Sequence, residues 1–476
     1  MMNFNMIING EPVATANTFP VINPATEEII YNCPAASQEH LDAAVTAANA
    51  AFISWSQVPD SDRQRIVHEL ADVIESNMEF LARLITLEQG KALQGMGSMF
   101  EVGGSVAWTH ATASLEILVE VIEESEKHRI ELHRRPLGVV GSITPWNFPL
   151  MIAVWHIMPA LRAGNTVVIK PSAFTPLSTL KMIELMNGIL PPGVLNVITG
   201  EADMGRAMTI HPGISKIVFT GSTSTGKEIM SNAAPTLKRL TLELGGNDAA
   251  VILPDVNPKD VAEGIFQAAF VNSGQTCAAL KRLYVHEDIY ESMCTALVEE
   301  SSKFKVGNGL DDGVLYGPIQ NKAQFERVCD LALDAKLAGG RFLTGGTPMS
   351  GPGYFFPLTL VADVSDGVRL VDEEQFGPIL PIIAYTDIDD AIARANSSAN
   401  GLGGSVWSAD EKLAKELACK LECGTVWVNT HAQIQPNMPF GGVKDSGFGV
   451  EFGQQGLDEY LSFQSVFINK LSGDSA

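Results

Sequence analysis

A cysteine at position 277 stands in a sequence context that suits a reactive thiol. In the stretch NSGQTCAAL, Cys277 follows a glycine-containing turn and precedes a run of small residues, which predicts a tight loop that enters a helix. A thiol becomes a nucleophile only when its thiolate is accessible or readily formed. Because most cysteines are buried and inert, this stretch alone leaves a structural role for Cys277 open.

Two polar residues in apolar surroundings are candidates to assist such a nucleophile. Glu243 in LTLELGGND is the single acid at an otherwise apolar strand end, where burial would raise its pKa towards that of a useful base. Asn147 in TPWNFPL lies in a proline-stiffened turn and is suited to donate a hydrogen bond to developing negative charge. The alternatives are a buried glutamate bound to backbone amides and an asparagine that satisfies the carbonyls of its own turn.

A glycine-rich loop, VFTGSTSTGKE, comes within one residue of the phosphate-binding loop of nucleoside-triphosphate hydrolases. Gly221, Gly226 and Lys227 fit that motif, but Glu228 stands where the motif requires Ser or Thr. No second acidic motif for Mg²⁺ is evident in the sequence. A P-loop NTPase is therefore an alternative that the sequence disfavours.

Seven motifs follow one another along the chain: WNFP, KPS, GSTSTG, LELGG, NSGQTC, EEQFGP and PFGG. Together they closely resemble the aldehyde dehydrogenase superfamily. The resemblance runs from INGEPV near the N-terminus to GFGVEFG near the C-terminus. It implies a hydrolytic, NAD(P)-dependent enzyme that oxidises an aldehyde to the carboxylic acid.

The resemblance assigns three catalytic roles. The cysteine of NxGQxC is the nucleophile of that family, and Cys277 matches it. Its attack on the aldehyde would give a thiohemiacetal, whose oxyanion Asn147 and the backbone amide of Cys277 would hold. Glu243 matches the general base that activates water to hydrolyse the thioester. Acyl-transferring relatives typically lack this glutamate, so its presence favours release of the acid over transfer to coenzyme A.

The resemblance also implies that GSTSTG meets the pyrophosphate of a dinucleotide, with NAD expected and NADP possible. Ser222 would contact the phosphate, and a helix starting near Thr225 would point its positive end at the pyrophosphate. Lys227 would then be a solvated helix residue. The hydroxyl that a Mg²⁺ ion would need is not required for hydride transfer.

Further cofactor contacts carry over by motif. Lys170 matches the ribose-binding lysine, Glu374 the acid that holds the nicotinamide ribose, and Phe376 either packs beside that ribose or is structural. NAD-preferring relatives usually have a glutamate where this chain has Ala173, so a 2′-phosphate would meet no repulsion there. The predicted cofactor residues are Thr144, Pro145, Trp146, Lys170, Ser172, Ala173, Gly221, Ser222, Glu374 and Phe376.

The substrate tunnel of the family is lined by residues after WNFP, around the nucleophile and before PFGG. The matching residues are Phe148, Ile152, Trp155, Thr276, Ala278, Ile434 and Phe440. They are apolar or small, and no arginine follows WNFP to hold a second carboxylate, which predicts an uncharged aliphatic or aromatic aldehyde. A semialdehyde or amino-aldehyde is the alternative, and His156 and His431 lie near enough in sequence to modify the tunnel.

The chain alternates between short β-branched runs and helical patterns from about residue 165, and the alternation starts again after residue 246. This pattern indicates βαβ units and mostly parallel sheets. The predicted fold class is α/β, with a Rossmann-like parallel-sheet cofactor domain, a second α/β catalytic domain and a small β oligomerisation extension. The predicted boundaries are 1–116 and 137–245 for the dinucleotide-binding domain, 246–448 for the catalytic domain, and 117–136 and 455–476 for the oligomerisation strands.

The charge and the cysteines limit the partners. The 476 residues carry a formal charge of −23 and show no local basic patch, so neither a nucleic acid nor a membrane is expected as a partner. The six cysteines have no CxxC pair and no zinc-ligand spacing, and no secretory signal is present. We therefore expect a cytoplasmic protein without a metal, whose partners are a small-molecule aldehyde and further copies of itself in a homodimer or homotetramer.

Overall fold

The computed structural model describes residues 3–470, in which strands and helices alternate. The strands are β1 (Met6–Ile8), β2 (Glu11–Val13), β3 (Thr18–Ile22), β4 (Ile29–Pro34), β5 (Glu120–Glu124), β6 (His128–Pro136), β7 (Val139–Ile143), β8 (Thr166–Lys170), β9 (Leu195–Val197), β10 (Lys216–Thr220), β11 (Arg239–Glu243), β12 (Asp248–Ile252), β13 (Leu280–His286), β14 (Arg341–Thr344), β15 (Thr359–Ala362), β16 (Ile379–Tyr385), β17 (Asn400–Gly401), β18 (Gly403–Trp407), β19 (Thr425–Val428), β20 (Val443–Lys444), β21 (Gly447–Phe448) and β22 (Leu461–Asn469).

The helices are α1 (Gln38–Trp55), α2 (Asp60–Ser76), α3 (Met78–Gln89), α4 (Ser98–Ala113), α5 (Pro149–Arg162), α6 (Leu177–Met186), α7 (Ala202–Ile210), α8 (Thr223–Ala233), α9 (Pro258–Phe270), α10 (Tyr290–Ser301), α11 (Lys322–Leu337), α12 (Arg369–Asp372), α13 (Ile388–Asn396), α14 (Glu411–Ala418) and α15 (Gly453–Asp458). Within residues 3–470, none of these helices is both long and apolar enough to cross a lipid bilayer.

The first sheet has eight strands in the order β2-β1-β9-β8-β7-β10-β11-β21. Its central strands, from β9 to β11 in that order, run parallel. β7, β8 and β10 are buried along their whole length because apolar side chains of α2, α4, α5 and α6 pack on one face and those of α1, α7 and α8 on the other. Burial on both faces accounts for the continuous apolar runs in these strands.

The second sheet has seven strands in the order β14-β15-β16-β13-β12-β18-β19, and all its pairings except that of β14 are parallel. Helices α9 and α10 cover one face, and α11 to α14 cover the other. The chain passes from the first sheet to the second between Glu243 and Asp248. The α/β class with mostly parallel sheets is thus confirmed, while the exact domain boundaries stay a prediction.

A third, antiparallel sheet has the order β22-β6-β5. β22 pairs with β6 along its full length, from Leu461 opposite Pro136 to Asn469 opposite His128. These strands fall in the ranges 117–136 and 455–476 that were predicted to form an extension, although residues 471–476 lie outside the described residues. The extension therefore joins a segment before the first sheet's β7 to the end of the chain.

Three local features differ from what the sequence suggests. The prediction that Cys277 precedes a helix is wrong, because the chain continues into β13, which pairs with β12 and β16. Helix α8 begins at Thr223 rather than Thr225, because Ser222 serves as its N-cap. The sequence pattern does not single out β7, although it lies at the centre of the first sheet. Its apolar run is short and leads directly into the WNFP motif, so periodicity gives no signal.

Candidate active site

Cys277 follows a turn of unusual backbone conformation. Asn272, Ser273 and Gly274 have positive φ angles of 52°, 54° and 72°. A Cβ at Gly274 would come within 2.2 Å of the carbonyl oxygen of Gly377, so only glycine fits there. Backbone strain of this kind persists only where the surrounding structure holds it. The turn therefore fixes Cys277 directly ahead of β13.

Asn147, in the loop after β7, is buried against this turn. Its Nδ2 donates a hydrogen bond to the carbonyl of Gln275 at 3.0 Å. Its own carbonyl accepts hydrogen bonds from Nδ2 of Asn272 at 2.9 Å and from Nζ of Lys91 at 2.7 Å. The loop after β7 and the loop before β13 are thus bound to each other in both directions. The amide serves the nucleophile loop and not the carbonyls of its own turn.

Glu243 ends β11 and is 3% exposed. Neither oxygen of its carboxylate has a hydrogen-bond partner among the described residues. Burial raises the pKa of this carboxyl well above its ordinary value, and the nearby Glu451 and Glu459 raise it further. The alternative of a glutamate bound to backbone amides therefore does not hold. A buried acid without a partner is suited to exchange a proton with a bound molecule.

The surroundings of Cys277 disfavour its thiolate. Burial raises its pKa to about 12, Lys281 opposes that rise, and Glu374 and Glu243 add to it. Nζ of Lys281 donates to the Cys277 carbonyl at 2.5 Å and to Oε1 of Glu374 at 3.0 Å. Reaction at this sulfur therefore needs a proton acceptor close by. Sequence reasoning missed Lys281, whose spacing of four residues from Cys277 is the one available signal.

Two cavities lie along the carboxyl ends of the first sheet's strands and contain all ten residues predicted to contact the cofactor. The cavity beside the nucleophile has a volume of about 450 Å³, and its lining includes Pro145, Trp146, Asn147, Gly221, Ser222, Cys277, Glu374 and Phe376. The other has a volume of about 840 Å³, and its lining includes Thr144, Lys170, Ser172 and Ala173. The predicted cofactor residues are thus divided between two adjacent cavities that an elongated molecule would occupy together.

The N-terminus of α8 lies between the two cavities. Ser222 lines one cavity and Thr225 the other, and Oγ of Ser222 accepts a hydrogen bond from the Thr225 amide at 3.3 Å. The positive end of the helix dipole at this point favours an anionic group such as a pyrophosphate. Lys227 has a side chain that is 62% exposed and pairs with Asp445 at 2.7 Å, so it is the solvated helix residue that the sequence suggests.

Phe376 lines the same cavity as Cys277. Its φ angle is 49°, and its ring meets the edge of Trp146 with 5.2 Å between the ring centroids. Because Phe376 also lines the cavity that contains Cys277, the ring is available to a bound molecule as well as to Trp146. The sequence left two alternatives for Phe376, a structural role and a contact with the ribose, and this position is compatible with both.

Comparison with known proteins agrees with this geometry. Residues 12–466 match the model of the aldehyde dehydrogenase family. The chain belongs to that family. Phenylacetaldehyde dehydrogenase from Pseudomonas fluorescens is 41% identical, with 97% of this chain and 95% of the relative covered. This membership excludes a P-loop NTPase.

Solved structures of other aldehyde dehydrogenases share the whole architecture. The NAD⁺ complex of an aldehyde dehydrogenase from Bacillus cereus has a TM-score of 0.96 at 37% identity and covers 99% of this chain and 97% of that chain. A point mutant of betaine aldehyde dehydrogenase from Staphylococcus aureus, solved with NAD⁺ and a BME-modified cysteine, has a TM-score of 0.94 at 34% identity and covers 99% of both chains.

In this aldehyde dehydrogenase, Cys277 packs against an apolar cluster that contains most of the predicted substrate residues. The cluster includes Cys277 together with Trp155, Ala278, Ile434 and Phe440. Phe148 and Ile152 form a second cluster with Met151, and Trp155 packs against both. Thr276 stands apart, because its hydroxyl donates to the carbonyl of Val271 at 3.3 Å.

Two aromatic residues of this cluster were missed by sequence reasoning. Trp108 comes from α4 and Phe452 from the residue before α15. Their ring centroids are 5.5 Å apart, and that of Trp155 lies 4.7 Å from Phe452 and 5.8 Å from Trp108. Phe452 is part of the GFGVEFG motif, but the sequence does not reveal where its side chain points. Trp108 carries no motif at all.

The two histidines near the tunnel in sequence have structural partners. His156 is buried and hydrogen bonds to Ser142 at 2.9 Å and Thr220 at 3.0 Å. His431 is buried against Ser405, with Nδ1 2.9 Å from its Oγ. Over residues 3–470, no group of three or more His, Cys, Asp or Glu side chains is arranged to hold a metal ion.

The environment of Glu243 leads to a testable shift in its titration. Burial raises the pKa of Glu243, and charge repulsion from Glu451 raises it further, so we expect Glu451→Gln to lower that pKa. Infrared titration of the protonated carboxyl band, assigned by its loss in Glu243→Gln, measures the change. The exposed substitution Glu263→Gln is the control. An unmoved band in Glu451→Gln would contradict the charge coupling.

Proposed function

We propose that this enzyme oxidises an uncharged aliphatic or aromatic aldehyde to the carboxylic acid, with NAD as the hydride acceptor. The observation that carries the proposal is that Cys277 and Asn147 line one cavity and that Cys277 also packs against an apolar cluster. The buried Glu243 lies near enough for its charge to raise the pKa of the Cys277 thiol. Each group has the chemistry that one step of this reaction requires. Glu243, in particular, favours hydrolysis because it offers a buried base for water.

In the first step the sulfur of Cys277 bonds to the aldehyde carbon, and the thiol proton passes to Glu243. The resulting oxyanion is held by the backbone N–H of Cys277 and by Nδ2 of Asn147. Nδ2 carries two N–H groups, and within the described residues one of them is taken by Gln275, so the second is free for the oxyanion.

Loss of the aldehyde hydrogen as a hydride leaves a thioester on Cys277. NAD, when bound, supplies the acceptor for that hydride. Glu243 gives up the thiol proton to solvent before hydrolysis. It then takes a proton from water, whose oxygen attacks the thioester carbon. The C–S bond breaks, the carboxylic acid is released, and the proton on Glu243 passes to the sulfur to restore the thiol. The raised pKa of Glu243 suits both uses, because a carboxyl that ionises only at higher pH is the stronger base.

The residues of the groove fit a dinucleotide. Ser222 and the start of α8 suit the pyrophosphate, Lys170 suits a ribose, and Glu374 suits the ribose nearer Cys277. A Cβ at Gly245 would come within 2.2 Å of Oε2 of Glu374, so glycine is needed to admit this carboxylate to the groove. The NAD⁺ complex of the Bacillus cereus relative supports the same use of the fold.

The apolar cluster supports a flat or extended apolar aldehyde. Trp108, Trp155 and Phe452 offer aromatic faces and edges to a substrate ring. The cation Lys91 is 3.5 Å from the centroid of Phe148, but it is already bound to Glu101 and is not free to hold a substrate carboxylate. The aromatic faces would also attract a cationic amino-aldehyde, which is the second candidate.

An aldehyde panel tests this assignment. We expect phenylacetaldehyde and hexanal to give kcat/KM values at least about 10-fold above that of succinic semialdehyde, because burying an unpaired carboxylate costs more than about 1.4 kcal/mol. The measurement is the absorbance of reduced cofactor. Cys277→Ala is the control, which should bind NAD without turnover.

Three outcomes would count against parts of the proposal. Turnover by Cys277→Ala would contradict the assignment of Cys277 as the nucleophile. A preference for succinic semialdehyde would show that the pocket holds a carboxylate. A preference for betaine aldehyde over phenylacetaldehyde would favour the cationic candidate.

We propose NAD as the first cofactor and NADP as a tolerated second one. Ala173 lines the same cavity as Lys170 and Ser172, so no carboxylate at that position repels a 2′-phosphate. Burial lowers the pKa of Lys170 to about 8. Lys170 is therefore a cation below about pH 8 and loses its charge above it.

Two changes should separate the cofactors. Ala173→Glu is expected to lower kcat/KM for NADP about 10-fold or more through charge repulsion, while the neutral Ala173→Gln lowers it less. For the wild type, the ratio of NADP to NAD kcat/KM should fall as the pH rises from 7 to 9, because Lys170 loses its proton. Equal losses in both Ala173 variants, or a ratio that rises with pH, would contradict these roles.

We propose that the third sheet joins two copies of the chain, as the first step to a homodimer or homotetramer. All five residues of β5 are exposed, and Ile122 and Phe467 are 56% and 63% exposed. An exposed sheet edge with apolar side chains is a ready surface for pairing.

All six cysteines are free. From this we also infer a reducing, cytoplasmic setting. A disulfide in protein purified without reductant would oppose that inference.

Light scattering tests the assembly. The wild type should have the mass of two or four chains, and Ile122→Glu combined with Phe467→Glu should reduce it, because two charges would be buried in the interface. Ile53→Glu on α1, at a position that is 74% exposed, is the control. A wild-type monomer, or an unchanged mass in the double variant, would contradict the proposed interface.

A further inference from the structure

Lys91 is a buried cation that the proposed mechanism does not use. Its side chain is 1% exposed, and its Nζ lies 2.6 Å from Oε2 of the fully buried Glu101. The same Nζ donates to the carbonyl of Asn147 at 2.7 Å and lies over the ring of Phe148. Desolvation offsets much of the attraction in a buried ion pair, so stability alone gives a weak reason for this one. Its contacts with Asn147 and Phe148 instead indicate a role in holding the loop after β7.

Glu101 holds the helix that follows the same loop. Its Oε1 accepts hydrogen bonds from the amides of Leu150 at 2.9 Å and Met151 at 3.2 Å. These are the first free amides of α5, because Pro149 at the first helical position has none. The N-cap residue Phe148 offers no side-chain acceptor. Glu101, from α4, therefore caps α5 in its place.

We propose that Lys91 and Glu101 are positioning residues that hold Asn147 ready to stabilise the oxyanion. This inference rests on the role of Asn147 proposed above. Lys91 binds the Asn147 carbonyl from one side and Asn272 binds it from the other, while Glu101 fixes the start of α5. Neither Lys91 nor Glu101 lines the cavity that contains Cys277, so both act through Asn147 and not on the substrate.

The expected effect follows from the cost of misplacing a catalytic group. Loss of one oxyanion donor costs about 10²- to 10³-fold in kcat, and a misplacement of about 1 Å costs on the order of 10²-fold. We expect Lys91→Met to lower kcat for phenylacetaldehyde by about 10- to 100-fold. The dissociation constant for NAD, measured by fluorescence titration, should change less than about 2-fold, because Lys91 is not in the cofactor groove.

A double-mutant cycle separates positioning from a general structural role. If Lys91 acts through Asn147, Lys91→Met should cost less than about 2-fold in the Asn147→Ala background. If Lys91 only stabilises the fold, it should cost the same factor in both backgrounds. Glu101→Gln, which keeps the side-chain shape, runs the same cycle if Lys91→Met does not fold.

Glu88→Gln is the matched control. Glu88 is as buried as Glu101 and caps α6 through the amides of Leu177 and Ser178, but it makes no hydrogen bond to Asn147. We expect its kcat to stay within about 2-fold of the wild type even if its melting temperature falls.

The outcomes distinguish this inference from the function on which it rests. Non-additive losses for Lys91→Met and Asn147→Ala, with Glu88→Gln near wild type, support the positioning role. Multiplicative losses, or no loss in Lys91→Met, overturn it and leave the function standing. Full activity in Asn147→Ala would instead overturn the oxyanion role itself.

Discussion

The candidate active site depends on one set of hydrogen bonds between two loops that belong to different sheets. In the loop after β7, the side-chain amide of Asn147 donates a hydrogen bond to the carbonyl of Gln275. In the loop before β13, the side-chain amide of Asn272 donates one to the backbone carbonyl of Asn147. The first sheet contributes the carboxyl ends of its strands at this point, and the second contributes the amino end of β13. Because the two cores are separate clusters, the exchange fixes Cys277 relative to the cofactor groove.

Three buried glutamates show how partners, and not burial alone, decide what a carboxyl does. Glu88 and Glu101 each accept two backbone amides at the start of a helix, which fixes their place. Burial raises the pKa of Glu88 to about 7, and the hydrogen bonds from Ser178 and Leu177 oppose that rise. Glu243 is equally buried but has no partner among the described residues, and its pKa is raised. The two acids with partners hold the starts of helices, and we propose that the acid without a partner exchanges protons during the reaction.

The sequence predicts the α/β class, the parallel core and the family because these follow from local patterns and ordered motifs. It also predicts the alternation of strands and helices from about residue 165, which the structure shows from β8 to α9. It does not reveal β7, whose short run lacks a periodic signal. Lys91 and Trp108 also escape it, since each matters through contacts with segments far along the chain. Through-space contacts of this kind leave no pattern in one sequence.

The geometry separates the chemistry from the choice of substrate. The reacting groups stand on strand ends and on one strained turn, whereas the rings around them come from α4, α5 and the segment before α15. The rings of Trp108 and Phe452 thus come from other elements than the hydrogen bond between Asn147 and the nucleophile loop. The rings pack against one another, and Cys277 packs against the same cluster. Relatives that share the fold can still differ in the aldehyde they accept. Family membership thus gives the reaction, and we propose that the aromatic cluster selects the substrate.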